Sequence, residues 1–131
     1  MKKIIILMVL VLISLSLYAG RSATPHPVYF ELRDAEGNIP AAEDLEVKCW
    51  LEHKPEEVLD LENSNVIFPI KDVFLQIQCS GFSSWNAGDF LHVEISNIKT
   101  NETLIQVVEL DFDNFQIYFD NHLKKLEEVK E

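Results

Sequence analysis

The chain of 131 residues carries 22 Asp and Glu against 11 Lys and Arg, a formal charge of −11, and 47% of it is hydrophobic. That field repels phosphate backbones and anionic lipid, so nucleic acid and a charged membrane surface are not expected partners. The length suits one compact domain, and the apolar share excludes wholesale disorder.

Met1, Lys2 and Lys3 form a short positive start, and residues 4–13 are continuously apolar, the pattern of a signal peptide. Two readings follow: cleavage after Ala19, or retention as an N-terminal anchor. The apolar stretch is shorter than the ~20 residues a bilayer core demands, which favours cleavage and no membrane attachment afterwards. On either reading the chain is exported, and its expected location is secreted or periplasmic. The organisation expected is a leader over 1–19, a polar lead-in over 20–27, a β domain over 28–119, and a charged tail over 120–131.

From Val28 onward the hydrophobic period is two, broken every eight to twelve residues, which predicts an all-β antiparallel sandwich of about seven strands. Val28, Phe30 and Leu32 give the first strand its dry face, and Gly37 and Asn38 suit the turn after it. Val47, Cys49 and Leu51 face inward on a second strand that Pro55 ends, with one helical turn or an irregular crossing over 56–61. Val66, Phe68 and Ile70 make a short third strand that Pro69 confines to an edge. Residues 72–79 alternate cleanly as the fourth, and a Ser, Gly and Asn-rich loop runs over 80–89. Leu91, Val93 and Ile95 mark the fifth. Residues 103–112 are apolar on both parities at first (Leu104, Ile105, Val107, Val108), as a strand covered on both faces would be. Residues 115–119 give the seventh. Lys and Glu dominate beyond Asn121, with Leu123 and Leu126 three apart, which predicts a frayed helix or disordered end.

Two turns carry a resemblance. Asp34, Gly37 and Pro40 form a D-x-x-G-x-x-P turn after the first strand, and Trp85, Gly88, Asp89 and Leu91 form a W-x-x-G-D-x-L turn before a later one. Together they resemble the transthyretin-like or immunoglobulin-like β-sandwich modules of bacterial secreted proteins, over roughly residues 28–112. Such modules often open the second strand with Gly-Ala, where this chain has Asp44 and Leu45. The resemblance implies a spacer or binding module without catalysis of its own.

Cys49 and Cys79 are the only cysteines, and their parity points both inward. In an oxidising compartment they either bridge as a disulfide or stay two small core residues. No CxxC spacing, Gly-rich phosphate loop or nucleophile motif occurs, so no metal, cofactor or enzymatic activity is expected. Trp85, with Phe82 three residues before it, is either an aromatic platform for a sugar or peptide, or a plug at one end of the sandwich. Trp50 falls on outward parity and marks either a contact patch or a covered surface. Tyr29 and Phe74 are also outward, which makes an apolar patch on one sheet conceivable. The oxygens of Asp111, Asp113, Asn114, Asp120 and Asn121 are weak calcium candidates, lacking an EF-hand's Gly and distal Glu. His92 and Glu94 share a strand face that ordinarily is solvated surface. The expected function is therefore non-enzymatic binding of a protein at the envelope or outside the cell, through Trp50, Trp85 and Phe82. A carbohydrate-binding module using Trp85, and a small protease inhibitor, stand as alternatives.

Overall fold

The alternation in residues 27–33 is realised as β1 (Pro27–Arg33), where Val28, Phe30 and Leu32 are fully buried and their neighbours are half-exposed. In the computed structural model, which describes residues 24–125, eight further strands follow: β2 (Leu45–Leu51), β3 (Lys54–Asp60), β4 (Val66–Ile70), β5 (Phe74–Gln78), β6 (Phe90–Asn97), β7 (Glu102–Glu109), β8 (Gln116–His122) and β9 (Lys124–Lys125). The leader, the start of the lead-in and residues 126–131 of the tail lie outside the described residues.

The strands form two sheets, ordered β4-β5-β1-β8 and β3-β2-β6-β7-β9. Phe30 pairs with Leu75 and Val28 with Ile77 across β1 and β5; Val47 pairs with Ile95 and Cys49 with Val93 across β2 and β6. Because side chains alternate, these registers send Phe30, Leu75 and Ile77 of one sheet and Val47, Val93 and Ile95 of the other into one shared core. Each such side chain stabilises the fold by ~1.5–3 kcal/mol through removal from water. The β4–β5 hairpin turns on Lys71 and Asp72, both with left-handed φ of 47° and 70°, so β5 starts at Phe74 rather than at residue 72.

Several expectations are corrected. The expected all-β sandwich of about seven strands is realised with nine, and one pairing departs from antiparallel, since β8 runs parallel to β1. Residues 56–61 make no helical turn or irregular crossing; Lys54–Asp60 is an edge strand anchored on β2 by Cys49–Leu59 pairing. Only Leu59 of it is buried, too little apolar content to show a period of two. On β7, Ile105 and Val107 are exposed, so that strand is covered on its inner face alone. The tail is neither helical nor disordered up to Lys125. Leu123 is fully buried, its N–H donates to the Arg33 carbonyl, and Lys124 pairs with Thr103.

The anticipated bridge between Cys49 and Cys79 is not formed. Both are buried free thiols. Cys49 lies within β2 of one sheet, with its Sγ 3.6 Å from the Leu59 carbonyl oxygen, whereas Cys79 leaves β5 of the other sheet in a 3-10 turn (Cys79–Gly81). Burial pushes the Cys79 thiol up to about 12, and burial, then the neighbouring Cys79 and Asp60, raise Cys49 further in the same direction. Both therefore remain neutral and unreactive at ordinary pH.

Candidate functional site

Trp85 occupies the end of the sandwich rather than its surface. It is only 8% exposed, its indole N–H donates to the Thr24 carbonyl at 2.6 Å, and its ring lies 4.8 Å from that of His26. Gly88, at φ +93°, makes the sharp turn that lets its N–H reach the Leu110 carbonyl, and the Leu110 N–H returns a bond to Asp89. Phe82 is buried beneath the same loop. Of the two readings, the structure favours the plug: Phe82 is buried, and Trp85 is packed on His26, though it still borders a shallow cavity of about 180 Å³ with Thr24, Asn86 and Phe112.

His26, beside Trp85, starts a buried polar network that the sequence did not signal. Its Nε2–H donates to Gln116 Oε1 at 2.7 Å, and its backbone N–H donates to Gln78 Oε1. Gln116 Oε1 also accepts from the Asp111 N–H, while Gln116 Nε2 donates to the Glu109 carbonyl (2.9 Å) and the Tyr118 hydroxyl (2.7 Å). Burial pushes the Tyr118 phenol up, with the Gln116 bond opposing and Asp111 reinforcing the shift. Tyr118 stacks on Phe30 at 5.3 Å, and Asn121 continues the row by donating to the Tyr118 carbonyl.

That network decides which way β8 faces. With Gln116 and Tyr118 inside, period two puts Phe115, Ile117 and Phe119 outside, and all three are exposed; the left-handed Asp120 (φ 57°), where the register to β1 shifts, then turns Asn121 back inward. The strand is inverted relative to its hydrophobic pattern. On the outer face of the same sheet, Phe119 meets Phe74 edge-on at 6.1 Å, and Phe74 meets Tyr29 at 6.3 Å. Pro27, Tyr29, Ile70, Phe74, Phe115 and Ile117, together with Lys71 and Asn114, line a groove of about 310 Å³ there. Tyr29 and Phe74 thus belong to the apolar patch their parity suggested, and β8 supplies the remainder.

Trp50 lies on the other outer face, half-buried and stacked on His92 with centroids 5.5 Å apart. Across the strands it stands in line with His92 and Val107, but Lys48, Glu94 and Glu109 interleave with these apolar groups. The structure does not bring Trp50 together with Trp85 or Phe82. His92 Nε2 lies 3.4 Å from Glu52 and has no hydrogen-bond partner among the described residues. Of the oxygens considered for calcium, Asp111 Oδ1 accepts the Asp113 N–H in a local turn, and Asn121 Oδ1 lies 3.5 Å from the Gln106 amide. Among the described residues, no group of three or more His, Cys, Asp or Glu is placed to hold a metal, and no helix is long and apolar enough to cross a membrane.

In comparison with known proteins, the chain matches no family model, no curated protein and no solved structure.

Proposed function

We propose that this chain is an exported, non-enzymatic β-sandwich that binds another protein through the outer face of its β4-β5-β1-β8 sheet. The observation that carries the reading is the inversion of β8, which places Phe115, Ile117 and Phe119 in solvent beside Tyr29 and Phe74. Exposed rings gathered around a concave groove form a patch that a soluble domain gains by covering. The Asp34–Pro40 and Trp85–Asp89 turns support a transthyretin-like or immunoglobulin-like module, and residues 1–19 support export to the periplasm or beyond. With Phe82 in the core and Trp85 mostly buried against His26, the carbohydrate reading has less support than the patch on the β8 sheet.

The test is capture of crosslinked partners from envelope extract by wild-type protein and by a Phe74→Ser, Phe119→Ser double variant. Trp50→Ser serves as the control on the opposite face. Loss of a partner in the double variant alone is the expected result. Equal capture by both proteins, or loss only with Trp50→Ser, refutes the assignment.

A further inference from the structure

The edges of the two sheets are not treated alike. At β4 the outermost strand carries Pro69; β3 carries Lys54, Pro55, Glu56 and Glu57; the start of β7 is covered by β9. The first two discourage further strand pairing, whereas β9 covers only Glu102 and Thr103, so the rest of β7 is open too, its exposed Ile105 and Val107 paired opposite Glu94 and His92. β8 is the fourth edge, and Gln116–His122 contains neither Pro nor Lys. Its one irregularity, Asp120 at φ 57°, lies beyond Phe119. Along residues 116–119, alternate backbone N–H and C=O groups face away from β1 beside a solvent-facing apolar ribbon, with the Tyr118 carbonyl accepting from the Asn121 amide.

Charge defines the occupant. Asp111 and Asp113 precede this ribbon, Asp120 follows it, and none of the three makes a salt bridge among the described residues. A second copy paired antiparallel on β8 would bring Asp120 of each chain close to Asp113 of the other, an unfavourable meeting of like charges. A segment with basic ends meets the opposite situation.

Resting on the binding role proposed above, we propose that β8 accepts an added β-strand from a partner. That strand is an extended segment with apolar side chains at alternate positions, seated against Phe115, Ile117 and Phe119, and with Lys or Arg at both ends facing the three aspartates. Main-chain bonds along the β8 edge supply affinity, and the apolar ribbon with its acidic ends supplies selectivity.

The experiment is selection of a random twelve-residue peptide library on the purified protein, with counter-selection on Phe119→Asp. Phe119 is 62% exposed, so this variant keeps its fold, as its thermal melt will verify. The expected peptides alternate apolar residues and end in Lys or Arg. The best of them loses at least about tenfold in affinity for Phe119→Asp, for Asp113→Asn with Asp120→Asn, and on N-methylation of alternate residues along one edge. Peptides that depend on Phe119 but tolerate N-methylation along either edge overturn strand addition while leaving the binding face intact. A dimer in sedimentation that Phe119→Asp dissociates assigns the edge to a second copy, and binding to neutral phosphatidylcholine vesicles assigns the ribbon to lipid; either overturns the proposal. An empty selection overturns both the strand and the face.

Discussion

Replacing Gln116 by Ala tests the network that orients β8. The amide makes four contacts, the first buried and the others partly so: it accepts from the His26 ring and the Asp111 N–H, and donates to the Glu109 carbonyl and the Tyr118 hydroxyl. Truncation leaves up to four groups without partners, each costing about 1–3 kcal/mol where water cannot replace the amide. Water will reach some of these groups at the open β7–β8 side, so a loss of about 3 kcal/mol is expected rather than the full sum. For a domain of this size that corresponds to a fall in Tm of roughly 12–24 °C. Urea unfolding followed by tryptophan fluorescence is suitable, because Trp85 packs on His26 at the far end of the network. Its companion is Phe119→Ser, which removes a largely exposed ring and changes stability by no more than about 0.5 kcal/mol. If β8 had the opposite register, the ranking would reverse, with Phe119→Ser costing about 3–5 kcal/mol. A loss under about 1 kcal/mol for Gln116→Ala would refute the inward network.

Further outcomes follow from the buried groups. Because the folded-state pKa values of Cys79 and Cys49 are raised, their contribution is complete below about pH 9 and is lost as pH rises from there towards 12, at up to ~1.4 kcal/mol per pH unit for each thiol. Urea midpoints between about pH 8 and pH 10.5 should therefore fall, and a Cys49→Ala, Cys79→Ala variant should flatten that slope. Trp85→Phe keeps the plug but leaves the Thr24 carbonyl without its indole donor, a loss of about 1 kcal/mol readable in thermal melts. Gly81→Ala would place a Cβ 2.8 Å from the Asn65 Cβ, so a cost of about 1–3 kcal/mol is expected in urea unfolding. A native-state thiol titration should find no reactive cysteine, and two after denaturation.

Where a strand had one clearly apolar parity, its sequence was enough to orient it. Val28, Phe30 and Leu32, then Val47, Cys49 and Leu51, then Leu91, Val93 and Ile95, all face the core as their spacing implies. β3 was illegible because an edge strand can be held by pairing alone, with Leu59 as its single buried anchor. β7 misled in the other direction, since four apolar residues do not guarantee cover over Ile105 and Val107. For β8 the local pattern points the wrong way: Phe115, Ile117 and Phe119 outrank Gln116 and Tyr118 in hydrophobicity. Their exposure follows from partners remote in sequence, chiefly His26, 90 residues from Gln116. The end plug was half-legible, because Gly88 and Asp89 suit a tight turn while nothing nearby announces the Thr24 carbonyl as Trp85's partner.

Cysteine scanning across residues 115–119 measures the facing of β8 most directly, since the two native thiols are buried and silent. Labelling with a water-soluble maleimide should be fast at Phe115→Cys, Ile117→Cys and Phe119→Cys, and slow at Gln116→Cys and Tyr118→Cys. Fast labelling at positions 116 and 118 with protection at 115, 117 and 119 would contradict the inverted strand and the binding face built upon it.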